Sequence, residues 1–307
     1  MLKPSTTFRC IICDTSDWFD LDHLRIKNLG FMTCRSCGFQ TYDLAQSVFK
    51  SQDNMKRFYE FGYRATVISG NILAYKRKLE YLKIFMGDIL EKTDSPKTFL
   101  DIGCANGYLL GYLKSLGHNV NYLYGTELTV SFVAFAKSFY GLKYISAEEP
   151  KDVSFDYIGI MHVLEHMPDA DLNLIHYRKM LKDDGHLFVA VPYWHDRLFD
   201  ISGSKMNFET LYHTNHINVW TLNGFRNILR KTGFKIIREE YRFYGYFVLC
   251  QKDEPQPIIK ENYEDIIGST IREKLAIEFL NKEDYDSSLS QFELNPYAFI
   301  GLAEAKK

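Results

Sequence analysis

The chain has 307 residues, 46% of them hydrophobic and 25% charged, with a formal net charge of -2. That composition suits a folded globular protein with a sizeable core, and it offers no cationic footprint for a polyanion such as nucleic acid. No apolar run is long enough to span a membrane, and the opening MLKPSTTFRC lacks the apolar stretch of a secretory leader, so a cytoplasmic protein with reduced thiols is expected.

Four of the six cysteines come first along the chain, as C-x2-C-x20-C-x2-C: Cys10, Cys13, Cys34 and Cys37. Each pair fits a turn that aims two sulfurs at one point, and Gly38 can supply the positive φ that the second turn needs. Four thiolates suit a closed tetrahedral zinc site, structural because no position stays open for water. The competing reading is two redox or disulfide pairs. Residues 1–45 are too few to hold a core without such a staple. Their acidic residues Asp14, Asp17, Asp20 and Asp22 offset Arg9, Arg25, Lys27 and Arg35, so this ribbon is not basic. Cys104 and Cys250 read as free thiols.

Residues 46–97 read as a helical linker or lid. NILAYKRKLEYLKIFMGDIL puts Ile72, Leu73, Leu79, Leu82, Ile84 and Phe85 on one broad face. From Thr98 strands and helices alternate. Strands are expected near 98–102, 122–126, 143–146, 155–161 and 185–191. Nearly continuous apolar strands between helices imply a doubly wound, mostly parallel α/β sheet covered on both faces. TLNGFRNILRKTGFKIIREEY gives another helix and strand, with Gly233 as the helix stop. YGYFVLCQK is short enough in its connection to pair antiparallel with its predecessor. The core thus spans 98–251. Residues 252–307 form an extension, mostly helical, whose end could return a last strand to the core.

The loop in FLDIGCANGYLL decides between ligands. A P-loop needs a lysine, but the frame from Gly103 places Leu109 there. A dinucleotide fingerprint would put Tyr108 where the third glycine belongs. The pattern D-x-G-x-G-x-G, which holds S-adenosylmethionine, fits Asp101, Gly103, Ala105 and Gly107, with alanine in the middle. Charge agrees. A carboxylate at the strand end repels a pyrophosphate but favours the ammonium and sulfonium of S-adenosylmethionine. Glu127, at the end of the next strand in NYLYGTEL, can accept from both ribose hydroxyls. A glycine turn with no ligand and a merely capping Glu127 are the plain alternatives.

These segments together resemble the class I S-adenosylmethionine-dependent methyltransferases, in the small-molecule branch that carries an N-terminal zinc ribbon. The carrying motifs are CIIC, CRSCGF, FLDIGCANG, YGTEL, FDYIGIMHVLEHMPD, LKDDGHLFVAVP and NHINVWTLNGFRNILRKTGF, spread over residues 10 to 240. The resemblance implies a Rossmann-like seven-stranded sheet of order 3-2-1-4-5-7-6 with its last strand antiparallel. It places Asp101, Gly103, Cys104, Ala105, Asn106 and Gly107 around the methionine part of the cofactor and Glu127 at the ribose. Ala147 and Glu148 would lie by the adenine, and Met161 and His162 beneath the sulfonium. Some relatives methylate sugar carbon with the help of a larger C-terminal domain, for which this chain is too short.

A hydroxyl or amine acceptor must lose its proton, and histidine is best poised for that near neutral pH. His166, in HVLEH after the fourth strand, and His216, in YHTNHINVW after the fifth, should border the same crevice. His216 is the leading base and His166 the second, against the plain reading of both as loop-fixing hydrogen bonders. Tyr59, Tyr63, Tyr193 and His213 are expected on the acceptor side. The expected activity is methyl transfer to a hydroxyl or carbon of a small molecule, such as a sugar or sugar nucleotide. The rivals are an RNA methyltransferase that grips RNA with its ribbon and a partner protein that has lost catalysis. The acidic residues of the ribbon argue against the first, and the intact loop motif argues against the second.

Overall fold

In the computed structural model, residues 9–26, 29–42, 57, 83, 86–87, 95–192, 216–242 and 245–260 are described. The ribbon contributes β1 (Trp18–Ile26), β2 (Leu29–Cys34) and β3 (Gln40–Tyr42), which pair antiparallel. Arg57, Lys83, Met86 and Gly87 are helical, and the rest of 46–94 lies outside the described residues, as do 261–307.

The core begins with β4 (Phe99–Ile102), followed by helix α1 (Tyr108–Ser115). Then come β5 (Leu123–Thr126), α2 (Val130–Tyr140) and β6 (Tyr144–Ser146). β7 (Phe155–Met161) leads through a 3-10 turn, Leu164–His166, to α3 (Ala170–Met180) and β8 (Leu181–Val191). After β9 (Asn218–Val219) come α4 (Leu222–Lys231), β10 (Phe234–Arg242) and β11 (Gly245–Lys252). The seven-stranded sheet runs β10-β11-β8-β7-β4-β5-β6. Counted from β4 as strand 1, that is the order 3-2-1-4-5-7-6. β4 through β8 are parallel, and β11 enters antiparallel between β8 and β10.

The central stretches of β4, β7 and β8 are mostly apolar and buried, because both faces of the sheet are covered there. Alternate side chains divide between two clusters, as a period of two requires. Leu100, Ile102, Leu187, Val189 and Val191 face α3, α4 and the ribbon, whereas Phe99, Phe188 and Ala190 face α1 and α2. β8 starts four residues earlier than the apolar run suggests. Leu181 is buried and pairs with Phe155, and the register then slips before His186 pairs with Tyr157. Gly185 sits in this irregular stretch, where a Cβ would come within 2.9 Å of Phe155 O.

The ribbon is built into the core. β9 adds to β3, pairing Gln40 with Val219 and Thr41 with Asn218. Trp220, 2% exposed, lies 5.4 Å from Phe39 and 5.5 Å from Phe225, and Phe225 lies 5.5 Å from Tyr246 of β11. An aromatic chain therefore runs from the cysteine module through α4 to the sheet. Thr221 caps α4 by accepting from Gly224 N at 3.1 Å, and Gly233 reverses the chain at φ 81°. Residues 253–260 then return along α4. Gln256 N donates to Arg230 O at 3.0 Å, Arg230 Nε to Pro257 O at 2.8 Å, and Asn227 exchanges two 2.9 Å bonds with the backbone of Ile259.

Trp220→Ala should destabilise the protein by about 3–5 kcal/mol, the usual cost of emptying a large aromatic site. Val130→Ala, at a side chain 68% exposed, should stay within roughly 0.5 kcal/mol of the parent. Denaturant unfolding of the two variants checks both values.

Candidate active site

The turn after β4 alternates its backbone hand. Gly103, Ala105 and Gly107 have φ of 64°, 46° and 75°. Glycine adopts these angles freely, and alanine at the middle position carries a steric cost of about 1–2 kcal/mol. Glycine is required at the flanks for space as well. A Cβ on Gly103 would lie 2.5 Å from Val163 Cγ2, and one on Gly107 would lie 2.9 Å from Ala136 Cβ. The loop is pinned to the end of β5: Cys104 N donates to Thr126 O at 2.9 Å, and Gly103 N to Thr126 Oγ1 at 3.3 Å.

Asp101 ends up in the middle of the sheet, paired with Gly125 on one side and Gly159 on the other. It is 2% exposed, and its Oδ2 accepts no hydrogen bond among the described residues. Burial, together with the nearby Glu127, pushes its carboxyl up to about 8. Asn106 is also buried, with Oδ1 similarly unpartnered among the described residues. Burial also raises the Cys104 thiol well above its ordinary range, so it stays protonated. Glu127 holds the loop from the other side. Oε2 accepts from Ala105 N at 2.9 Å and Oε1 from Thr129 N at 2.7 Å. Each carboxylate oxygen keeps a second lone pair. Ala147 and Glu148 are exposed just past β6, whose Ser146 O accepts from Glu127 N at 2.9 Å.

Past β7 the chain turns sharply at His162, φ 54°, whose N–H donates to Ala190 O at 2.8 Å. The 3-10 turn that follows brings three side chains together. Glu165 Oε1 lies 3.8 Å from both His162 Nδ1 and His166 Nε2. The rings of His166 and His216 are 4.9 Å apart between centroids. Asn218 fixes this approach, since its Nδ2 donates to Leu164 O at 3.0 Å and to Met167 O at 2.7 Å. The two histidines expected to share a crevice therefore meet. Glu165, 1% exposed at their centre, is absent from the sequence-based site. Tyr59, Tyr63, Tyr193 and His213 lie outside the described residues.

The four ribbon cysteines converge as well. Cys10 and Cys37 sulfurs are 3.6 Å apart, those of Cys13 and Cys34 are 3.3 Å apart, and none is in a disulfide. Two matching turns present them. Cys10 N donates to Thr15 O and Cys34 N to Phe39 O, each at 2.8 Å; Asp14 N donates to Cys10 O and Gly38 N to Cys34 O, each at 3.0 Å. Asp14 and Gly38 both have positive φ, 63° and 69°. Aspartate thus fills in the first turn the place that glycine fills in the second. Mutual thiol hydrogen bonds lower the pKa values of Cys13 and Cys34 and raise those of Cys10 and Cys37.

A family model described as a methyltransferase domain matches residues 74–239, more than half of the chain. The chain belongs to this methyltransferase family. It is an S-adenosylmethionine-dependent methyltransferase. Solved structures similar to this methyltransferase include a protein from Pyrococcus horikoshii OT3, at 16% identity and TM-score 0.46, covering 64% of this chain and 96% of that one. A magnesium protoporphyrin IX methyltransferase from Synechocystis PCC 6803 with bound S-adenosylmethionine shows 16% identity and TM-score 0.43, covering 67% and 94%. A putative methyltransferase in complex with the Haloferax volcanii Trm112 methyltransferase activator shows 15% identity and TM-score 0.47, covering 60% and 94%. No curated protein matches the methyltransferase. No helix among its described residues is long and apolar enough to cross a membrane.

The buried carboxyl of Asp101 makes the stability of the ligand-free methyltransferase depend on pH. Its folded pKa, about 8, lies above the ordinary 3.8, so the fold holds this proton more tightly than the unfolded chain. That contribution is complete below the ordinary value and is lost as pH rises through about 8. Asp101→Asn, which carries no such proton, should lose less stability between pH 5 and 8 than the parent (~3 pH units that lie inside the window between the two pKa values). Urea unfolding at the two pH values measures the difference.

Proposed function

We propose that the enzyme methylates a small molecule, at a hydroxyl or carbon of a sugar, sugar nucleotide or similar biosynthetic intermediate, and that the acceptor is oriented and deprotonated at His216 and His166. The observation that carries this reading is the meeting of the two rings, 4.9 Å apart, beside Glu165 at the carboxyl end of the sheet. The build of the ribbon supports a small acceptor over RNA. Cys10, Cys34, Cys37 and Phe39 are buried in the same core as Trp220 and Phe225, with Cys13 partly buried against it, so the ribbon serves as a wall of the enzyme. It carries no basic surplus with which to grip a polyanion.

When bound, S-adenosylmethionine supplies an electrophilic methyl group on a cationic sulfur. Asp101, Gly103, Cys104, Ala105, Asn106 and Gly107 would hold its methionine part, Glu127 the ribose, Ala147 and Glu148 the adenine edge, and Met161 and His162 the floor beneath the sulfur. The fit rests on charge and space. Two carboxylates, Asp101 and Glu127, line the loop, and the unpartnered oxygens of Asp101 and Asn106 suit a cationic, hydrogen-bond-donating ligand. His216, with His166 beside it, takes the acceptor proton, and the two align the nucleophile with the methyl carbon.

We also propose that Cys10, Cys13, Cys34 and Cys37 bind a structural zinc. A tetrahedral site with zinc–sulfur bonds of about 2.3 Å sets sulfurs about 3.8 Å apart. The observed 3.3 and 3.6 Å need only a small outward adjustment.

One comparison separates cofactor from acceptor roles. His216→Ala and His166→Ala should slow single-turnover methyl transfer by about 10²–10⁴-fold, the usual worth of a positioned base, with cofactor affinity nearly unchanged. Glu127→Ala should do the reverse, weakening calorimetric cofactor binding by roughly 1.5–3 kcal/mol for its charged hydrogen bonds. Normal turnover in both histidine variants would remove them from the acceptor site.

A further inference from the structure

Glu165, His166 and His216 each offer one ligand atom, and the three atoms lie within 4.8 Å of one another. They come from two segments that are fixed independently of any ligand. Glu165 and His166 are adjacent in the 3-10 turn, where His166 N donates to Val163 O at 2.9 Å. His216 precedes β9, where Ile217 O accepts from Thr41 Oγ1 at 2.9 Å and Asn218 ties the segment to the turn through Leu164 O and Met167 O. The backbone on both sides is therefore set before an ion arrives, which limits the entropy lost on binding.

We infer that Glu165, His166 and His216 form a second metal site, distinct from the cysteine cluster, that takes a divalent transition-metal cation. Two imidazoles and one carboxylate suit zinc, iron or manganese, in contrast to the all-sulfur ribbon. Ligand bonds of about 2.0–2.2 Å require the three atoms to draw inward. His166 keeps 21% side-chain exposure, whereas Glu165 at 1% provides the anchored ligand. His162 Nδ1, 3.8 Å from Glu165 Oε1, is placed to steady the carboxylate from behind. Three ligands from the described residues leave coordination positions for an acceptor.

This inference rests on the reading that the acceptor meets His166 and His216, and it replaces proton uptake by their rings, whose lone pairs would bind the cation, with activation of the acceptor by the metal. An acceptor oxygen that enters an open position gains a bond to the cation, which lowers its pKa as it does for bound water. Its O–H bond then breaks with the electron pair left on oxygen, and the proton passes to water. The oxygen is held in place for in-line attack on the methyl carbon, whose bond to sulfur breaks with its electrons going to sulfur.

The test is a Co(II) titration of full-length protein already carrying one zinc per chain at the cysteines. It is followed by visible absorption and by metal analysis after desalting. The expected result is one added cobalt per chain, without the intense charge-transfer bands of a cobalt–thiolate site. Glu165→Gln, nearly isosteric, and His216→Ala should each weaken uptake by more than the roughly 10–100-fold that losing an outer hydrogen-bond partner costs. His176→Ala, at a histidine 52% exposed, should leave uptake unchanged. No stoichiometric uptake, uptake with thiolate bands, or uptake unaffected by both site variants overturns the inference. If cobalt does not bind but His216→Ala still loses turnover, the metal site falls and the acceptor reading stands. If the variants lose cobalt yet turn over normally, the metal site stands and the acceptor reading falls.

Discussion

Asn218 holds two structures together with one side chain. Its amide nitrogen donates to the carbonyls of Leu164 and Met167, at 3.0 and 2.7 Å, while its backbone belongs to the strand that completes the ribbon sheet. Asn218 is 3% exposed, so its amide has no water to turn to instead, and buried donors left unmet are costly. The histidine turn on one side and the cysteine ribbon on the other are therefore spaced by a single rigid residue. Trp220, two positions along, extends the same link into the aromatic chain that reaches β11. In this enzyme the strand that joins the ribbon sheet begins two residues after His216.

The other half of the crevice is governed by charge. The glycine loop is folded around backbone angles, and Glu127 closes it by taking one N–H from the loop and one from the start of α2. Asp101 is left beneath the loop with its carboxyl raised by burial. An incoming cation would reverse that penalty, because an opposite charge favours the ionised carboxylate. On the proposed cofactor placement, binding a sulfonium and an ammonium there would couple to loss of the Asp101 proton. A phosphate ligand would have the opposite effect, which agrees with the failure of FLDIGCANG to match either phosphate-binding pattern.

Much of this was legible in the sequence. The five parallel strands could be read as mostly apolar runs between helices, and their order was implied by the resemblance to the class I methyltransferases. His166 and His216 could be placed in one crevice because each follows a strand end in a parallel sheet. β9 was not legible. It has two residues, and its reason for being extended is a partner strand about 180 residues away in sequence. Glu165 was missed although its signal is present, since one 3-10 turn brings i and i+3 together and HVLE is such a pair. Asp14 was overlooked for a similar reason. Aligning CIICD with CRSCG places it opposite Gly38, and aspartate tolerates the left-handed region better than most residues. The early start of β8 was hidden by two aspartates that the irregular register turns outward.

The segment 253–260 has a consequence for where this fold can be cut. The last sheet strand ends at Lys252, and a fragment designed to stop there would look complete by its strands. It would lack the peptide groups that engage Asn227, Arg230 and, through Asp253 O at 2.8 Å, Arg178. Asn227 is 2% exposed, so its amide would be left facing a newly opened groove along α4, the helix that carries Phe225 and abuts the ribbon. The minimal folding unit of the catalytic core therefore reaches at least to Ile259.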